Sequence, residues 1–313
     1  MSTSIPPGQA AGDHELARVE QALLARWPEN RLEPSLTRIT ALVDLLGSPH
    51  RAFPVIQVTG TNGKTSTARM IDELLRGFGL RVGRFTSPHL ETVRERIVID
   101  GEPISAQRFV EVHDDIAPYV QMVDASGEVP MSFFEVTVAL AYAAFAETPV
   151  DVAVVEVGMG GTWDATNVVD ARVAVVTPVS LDHAEYLGPD VATIATEKSG
   201  IIKAESVAVL AHQPAGALEA LVRRAIEVDV SVAREGTEFG VLERRVAVGG
   251  QQVRLQGLGG EYDEVFLPLF GAHQAQNAAV ALAAVEAFLG AGAASGPVAQ
   301  DVVREAFAGG AVA

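Results

Sequence analysis

The chain of 313 residues contains no cysteine. Disulfide bonds, thiolate catalysis and cysteine-ligated zinc are therefore excluded, and we expect a cytoplasmic protein. Basic residues are also scarce, because 23 lysines and arginines stand against 40 acidic residues and give a net charge of −17. Such an acidic surface repels nucleic acid and anionic membranes, so neither is expected as a partner. An anionic substrate would have to be bound by a local positive group or by metal ions.

Long apolar runs are missing as well. No uninterrupted hydrophobic stretch reaches the roughly 18 residues that a membrane-spanning helix needs. The most apolar helical segment, about 275–289, contains Asn277 and Glu286. Residues 1–12 have neither a basic start nor an apolar run, so they do not resemble a signal peptide and are predicted to form a mobile N-terminal tail.

Apolar strand patterns alternate with helical patterns along most of the chain. The strand-like segments are FPVIQVTG, RVGRFTSPHL, VDVAVVEVG, ARVAVVTPVS and ESVAVLAH. Helical spacing is found at about 14–27, 35–46, 65–78, 105–121, 132–147, 190–202 and 273–289. This alternation predicts an α/β fold with a mainly parallel, doubly wound sheet. Asp100-Gly101 predicts a hairpin, and short alternating strands predict a small β-rich patch at about 231–269.

The segment QVTGTNGKTSTARM resembles a phosphate-binding loop but departs from the usual pattern. That pattern has a glycine, four residues and then Gly-Lys-Ser/Thr, and here the first glycine is replaced by Val58. A strand followed by Gly60, Gly63 and a helix still gathers backbone N–H groups at a helix N-terminus, which favours phosphate. Lys64 can neutralise phosphate charge and Thr65 can offer a hydroxyl to Mg²⁺. The alternative is a tight strand-to-helix turn with an exposed lysine.

The loop GTNGKTS resembles that of the Mur ligase superfamily of ATP-dependent amide-bond ligases. Further motifs resemble the folylpolyglutamate synthase/dihydrofolate synthase family, in the family's order over about 50–285. They are TSPHL, ERI, SFFE, VVEVGMGG with DATN, SLDHAEYLG, EKSGIIK and HQAQNAAVAL. The resemblance implies a P-loop NTPase type of fold, ATP as substrate and two Mg²⁺ sites. It also implies an enzyme, expected to be monomeric, that adds L-glutamate to tetrahydrofolate or dihydropteroate through an acyl phosphate.

The resemblance also assigns site residues. Catalysis is assigned to Lys64, His183 and Lys198. Metal binding is assigned to Ser87, Glu156, His183 and Lys198, the last after carbamylation by CO₂. ATP binding is assigned to Thr59, Gly60, Thr61, Asn62, Gly63, Lys64, Thr65, Ser66, His273, Gln274 and Asn277. Folate binding is assigned to Ser132, Phe133, Trp163, Asp164 and Ala165. Thr162 stands where the family commonly has an arginine, so a contact to an anionic group is expected to differ there.

Simpler explanations exist for several of these residues. Ser87 could be a turn serine before Pro88, and His183 could be a surface or capping residue. Lys198 could form an ordinary surface pair with Glu197. Phe133 and Trp163 could be core aromatics, and His273, Gln274 and Asn277 could cap a helix. The GMGG stretch at 158–161 lacks the third glycine of a dinucleotide fingerprint, so a Rossmann site is rejected.

Family members continue into a second domain with PGR and DxAHN motifs, and neither motif follows Phe307. We therefore predict a tail (1–12), an ATP-binding domain of Mur ligase type (13–292), and a linker with the start of a C-terminal domain (293–313). Two hypotheses follow: a ligase completed by a separately supplied C-terminal half, or an inactive fragment that binds only nucleotide and Mg²⁺. A cell-wall Mur ligase is disfavoured by SPHL, ERI and SFFE.

Overall fold

The computed structural model describes residues 7–27, 34–292 and 294–309. Helix α1 spans Pro7–Leu24. The prediction of a tail over residues 1–12 is therefore wrong from residue 7 onward, and residues 1–6 lie outside the described part. The physical reason is that Pro7 stands in the first helical turn, where its missing N–H group is tolerated. Within the described ranges, no helix is both long and apolar enough to cross a membrane.

The main sheet has eight strands in the order β4-β3-β2-β5-β1-β6-β7-β8. They are β1 Val55–Thr59, β2 Val82–Phe85, β3 Ile97–Ile99, β4 Glu102–Pro103, β5 Val152–Glu156, β6 Val173–Val176, β7 Val207–Leu210 and β8 Ser231–Arg234. All neighbours are parallel except β2–β3 and β3–β4, which are antiparallel. The hairpin predicted at Asp100-Gly101 is confirmed as the β3–β4 turn. The predicted mainly parallel α/β sheet is confirmed.

Helices cover both faces of this sheet. After α1 they are α2 Thr37–Leu45, α3 Lys64–Gly77, α4 Ala106–Ser126, α5 Phe133–Glu147, α6 Ala184–Leu187, α7 Val191–Lys198, α8 Ala215–Glu227, α9 Ala272–Leu289 and α10 Gln300–Gly309. Side chains alternate across β1, where Val55 packs into the core with α1, α2, α4 and α5. Ile56 and Val58 pack into the opposite core with α3, α9 and α10. The central strands β1, β5, β6 and β7 are mainly apolar because both of their faces are buried.

The β-rich patch is a three-stranded antiparallel sheet of β9 Gly240–Ala247, β10 Gly250–Gln256 and β11 Glu261–Leu267. It is smaller than predicted, because β8 at 231–234 joins the main sheet beside β7. The sequence analysis also assigned no element to α8. Short apolar runs do not reveal which sheet they join, since that depends on tertiary neighbours.

The segment after α9 is held against the same body. Glu286 accepts a hydrogen bond from the Tyr262 hydroxyl at 2.7 Å, and that hydroxyl accepts one from Val298 N–H at 2.9 Å. Val303 and Phe307 of α10 are buried in the core that includes α3. Helix α10, which lies in the segment predicted as the start of a further domain, thus packs on α3 and β11.

Candidate active site

The phosphate loop connects the end of β1 to the start of α3. Gly63 caps α3 with φ +82°, a conformation that favours glycine. The Lys64 ammonium folds back over the loop and donates to the carbonyls of Gly60 at 3.2 Å and Thr61 at 3.4 Å. Ser66 follows in the first turn of α3. The loop therefore presents a cation and the free N–H groups of a helix start to the same side, which suits a phosphate chain.

Neighbouring strands hold this loop from the other side. The Thr59 hydroxyl donates to Gly160 O at 2.8 Å, and Thr61 N–H donates to Pro178 O at 3.0 Å. The Asn62 amide donates to Ser180 Oγ at 3.2 Å. These bonds connect the loop to the ends of β5 and β6, so its shape is fixed by the sheet.

Asn277 approaches the loop from α9. A Cβ atom placed on Gly63 would lie 2.5 Å from Asn277 Oδ1. Asn277 is buried and donates to Gln274 Oε1 at 3.1 Å. Of the three residues predicted to bind ATP at the start of α9, Asn277 reaches the loop and Gln274 accepts the hydrogen bond from the Asn277 amide. His273 lies exposed one turn before Asn277.

Glu156 ends β5 beside the loop and is only 1% exposed. Its carboxylate accepts the Thr65 hydroxyl at 2.9 and 3.1 Å and Ser87 N–H at 3.4 Å. Burial raises the pKa of Glu156 to about 7, against the opposing effects of the Lys64 ammonium and the Thr65 hydrogen bond. The predicted metal ligands Ser87 and Glu156 are thus brought together with Thr65.

Lys198 ends α7 and is 4% exposed. Its ammonium donates to Gly60 O at 2.9 Å, so the interpretation as a surface pair with Glu197 is wrong. Burial, together with the nearby Lys64 ammonium, lowers the pKa of Lys198 to about 8. The structure therefore places Lys198 under the phosphate loop as an amine that is easily deprotonated.

His183 begins the short helix α6 with φ +49° and a half-exposed side chain. Its backbone N–H donates to Asp182 at 2.9 Å. The side chain borders the same cavity as Lys64 and Ser87. His183 thus occupies the N-cap position of α6 without a capping hydrogen bond from its side chain, and it borders the site.

A cavity of about 340 Å³ opens beside the loop. Its lining comprises Trp27, Pro34, Ser35, Arg38, Lys64, Ser87, Pro88, Val129, Pro130, Ser132, Phe134, Glu135, Gly158, Met159, Trp163, Asp164, Ala165 and His183. Of the predicted folate-binding residues, all but Phe133 are in this set. Phe133 is 5% exposed and packs in the core beneath the Arg96 guanidinium. The wall is Phe134 instead, because successive helix residues point about 100° apart.

Asp164 is fully engaged by its own chain. Its carboxylate accepts Met159 N–H at 2.9 Å, Thr166 N–H at 2.9 Å and the Thr166 hydroxyl at 2.5 Å. Burial raises the pKa of Asp164, and these hydrogen bonds oppose the rise. The carboxylate thus fixes the turn Ala165–Val168. The Thr162 hydroxyl, two residues earlier, donates to Glu197 O at 3.0 Å and so ties Thr162 to the end of α7.

Ser132 caps α5 and forms a capping box with Glu135. Glu135 also accepts Arg38 Nε at 3.0 and 3.2 Å. Sequence reasoning missed Trp27, Arg38 and Phe134 as cavity residues. SFFE was a usable signal for Phe134, but no local pattern marks Trp27 or Arg38, which reach the cavity from another part of the chain.

The residues at Glu156 fit Mg²⁺ in their chemistry. One buried carboxylate and the hydroxyls of Thr65 and Ser87 are oxygen donors, which Mg²⁺ prefers together with water and substrate phosphates. In the described ranges there is no group of three or more His, Asp or Glu side chains that could hold a metal by themselves. A cation bound here would therefore depend on a bound nucleotide for further ligands.

Residues 58–285 match the Mur ligase middle domain. The chain is 54% identical, over 94% of its length, to the dihydrofolate synthase/folylpolyglutamate synthase of Mycobacterium tuberculosis, of which it spans 63%. The structure of Mycobacterium tuberculosis folylpolyglutamate synthase complexed with ADP superposes with a TM-score of 0.91 at 52% identity, over 96% of this chain and 67% of that one. A folylpolyglutamate synthase complex with AMPPCP and folate gives 0.87 at 30% identity, over 93% and 71%.

Proposed function

The chain belongs to the folylpolyglutamate synthase/dihydrofolate synthase family of Mur ligases, and on that premise we propose that it binds ATP and the acceptor of an ATP-dependent ligase. The reaction joins L-glutamate to the carboxylate of tetrahydrofolate or dihydropteroate. The supporting observation is that Lys64 belongs both to the phosphate loop and to the lining of the 340 Å³ cavity. A γ-phosphate on the loop and a carboxylate in the cavity would therefore meet at one ammonium group.

The proposed reaction has two steps. An acceptor carboxylate oxygen attacks the γ-phosphorus, the bond to the β-phosphate oxygen breaks, and ADP leaves. The glutamate amine then attacks the acyl carbon, and inorganic phosphate leaves as the amide forms and the amine loses its proton. Lys64 and the N–H groups at the start of α3 stabilise the negative charge that develops on the transferred group.

We place Mg²⁺ at Ser87, Glu156 and Thr65, where it would neutralise charge on phosphate oxygens. His183 and Lys198 are proposed for a second site, with Lys198 carrying a carbamate. Two observations support the carbamate. Lys198 is buried beneath the loop, and its lowered pKa leaves a substantial neutral fraction that can attack CO₂ near pH 8. Carbon-13 NMR with labelled CO₂ tests the carbamate, since a signal lost in Lys198→Ala supports it and an unchanged signal contradicts it.

A second candidate is a nucleotide- and Mg²⁺-binding unit without ligase activity of its own, because the phosphate loop and Glu156 with Thr65 and Ser87 supply groups for these two ligands alone. Isothermal titration with ATP and Mg²⁺, followed by ADP-release assays with an acceptor and L-glutamate, separates the two. Binding with turnover supports the ligase. Binding without turnover supports the second candidate, and absence of nucleotide binding refutes both. Lys64→Ala is the matched loss-of-site variant.

A further inference from the structure

The chain has two tryptophans, and both line the same cavity. Trp163 belongs to the loop that follows β5. Trp27 reaches the cavity from the short segment after α1, and its carbonyl accepts Phe133 N–H at 3.0 Å next to the N-terminus of α5. An aromatic wall is thus supplied from outside the nucleotide-binding core.

A group of hydrogen bonds, here called the Arg26 clamp, fixes the position of Trp27. It consists of Arg26, Asp124 and Met131. The Arg26 guanidinium donates to Met131 O at 3.0 Å and to Asp124 Oδ2 at 3.0 Å, while Asp124 Oδ1 accepts Met131 N–H at 2.7 Å. The two charged side chains are about four-fifths buried, at 21% and 23% exposure, so water screens them little. The clamp ties the residue before Trp27 to the loop that precedes α5.

Besides the loop after β5 that carries Trp163, two groups of residues line the cavity. Lys64, Ser87 and His183 belong to the phosphate-transfer region. The second group comes from the segment after α1 (Trp27), from α2 (Arg38), from the loop before α5 (Val129 and Pro130) and from the start of α5 (Phe134). An acceptor whose carboxylate is held at Lys64 would extend into the part of the cavity that the second group and the loop with Trp163 line. That group offers aromatic faces, which attract flat ring systems.

We propose that Trp27, positioned by the Arg26 clamp, is a specificity residue that stacks on the fused-ring end of the acceptor. Trp27 then discriminates acceptors that carry a bicyclic pteridine from acceptors that carry only the p-aminobenzoyl ring. This proposal rests on the proposed function for its acceptor class. It assigns to Trp27 a role that the motifs of the sequence did not indicate.

The test compares folic acid with p-aminobenzoyl-L-glutamate, which lacks the pteridinylmethyl group, in the presence of MgATP. Trp27→Ala is expected to weaken folic acid binding about tenfold, since an aromatic contact contributes roughly one factor of ten in affinity. The same change should alter p-aminobenzoyl-L-glutamate binding by less than about twofold. Trp27→Phe, which keeps an aromatic face, should restore most of the folic acid affinity. Isothermal titration gives the dissociation constants.

A spectroscopic readout locates the ligand. The protein labelled with ¹⁵N-tryptophan has two indole N–H signals, and Trp27→Phe assigns them. Folic acid should shift the Trp27 signal, whereas p-aminobenzoyl-L-glutamate should leave it in place. A Trp27 signal unmoved by bound folic acid contradicts stacking.

Arg18 provides a matched control for the clamp. It lies within α1, whereas Arg26 follows the end of that helix, and it pairs with another acidic residue of α4, Asp114 at 3.1 Å, without being part of the clamp. Arg26→Ala should weaken folic acid binding about threefold without affecting p-aminobenzoyl-L-glutamate, and Arg18→Ala should change neither. Equal effects of the two variants on both ligands would reduce Arg26 to a structural residue and overturn its positioning role.

The outcomes separate this proposal from the proposed function. If the unmodified chain binds folic acid and Trp27→Ala binds it equally well, the role of Trp27 is refuted while the ligase assignment stands. If the unmodified chain binds MgATP but neither folic acid nor p-aminobenzoyl-L-glutamate, the acceptor class is wrong and both proposals fall.

Discussion

Gly63 and Gly79, at the two ends of α3, provide a comparison that isolates the geometry of the phosphate loop. Both have left-handed backbones, with φ +82° and +79°. A Cβ atom on Gly79 would meet nothing within 4 Å, whereas one on Gly63 would lie 2.5 Å from Asn277 Oδ1 and 3.2 Å from its Cγ. Alanine at either position therefore carries the same backbone strain, but only Gly63→Ala adds an overlap with α9.

The magnitudes follow from these two contributions. Left-handed strain costs about 1–2 kcal/mol for a residue with a Cβ atom. The gain from a less flexible unfolded chain is common to both variants and cancels. Overpacking adds about 1–3 kcal/mol. Gly63→Ala should thus lower the free energy of unfolding by about 1–3 kcal/mol more than Gly79→Ala does. Urea denaturation with a constant m-value measures both.

Nucleotide binding provides the second measurement. Gly63→Ala should weaken ATP binding at least about tenfold, because the overlap can be relieved only by moving the loop or Asn277. Gly79→Ala should leave ATP affinity unchanged. Adding Asn277→Ala removes the overlapping atoms, so the double variant should be less destabilised than the sum of the two single changes. Equal destabilisation by the two glycine changes, or strict additivity with Asn277→Ala, would refute the reasoning.

Three further predictions concern the buried charges and the last helix. Because burial raises the pKa of Glu156 to about 7, MgATP affinity should fall as the pH drops below 7 and the carboxylate is protonated. Glu156→Gln should abolish this pH dependence. Titration calorimetry from pH 6 to 8 measures the affinity, and an affinity of the unmodified chain that does not change with pH would contradict the prediction. Lys198 has a lowered pKa, so its protonated form destabilises the fold at neutral pH and the penalty disappears between about pH 8 and the unfolded value of 10.5. Lys198→Met should therefore raise the free energy of unfolding at pH 7 by up to about 3 kcal/mol and lose this advantage by pH 10.5 in urea titrations, whereas a constant difference would show that the charge is not responsible. Phe307→Ala should lower the free energy of unfolding by about 3–5 kcal/mol because the Phe307 side chain is 1% exposed. Glu305 is exposed, so Glu305→Ala should change the free energy of unfolding by less than about 0.5 kcal/mol. Similar melting temperatures of the two variants would contradict the packing of α10 against α3 and β11.

Local patterns were sufficient for the parts of the site that lie within one strand–loop–helix unit. The order β1, Gly60, Gly63, α3 could be predicted because a buried strand, a glycine turn and an amphipathic helix each have a period and a boundary signal. Gly79, which follows the C-cap residue Phe78 of α3 with a left-handed backbone, is likewise a local helix-end signal. These features depend on neighbours in the sequence.

Errors arose where a residue's environment comes from a distant segment. Phe133 and Phe134 are indistinguishable by composition, and only the rotation of α5 against the sheet decides which of them faces the cavity. The strand at 231–234 has the same local pattern as its successors, yet it pairs with β7. Helix α8, by contrast, carried a usable helical pattern in ALEALVRRAIE that the sequence analysis did not assign.

The sequence by itself determined the fold class, the phosphate loop and the family motifs, because hydrophobic period and turn chemistry are local properties. Only the tertiary structure decided that Lys198 lies under the loop, that Glu156 meets Thr65 and Ser87, and that Trp27 lines the cavity beside the loop. Burial and pairing with distant groups shift a pKa or create a cavity, and both depend on which segments the packed sheet and helices bring together.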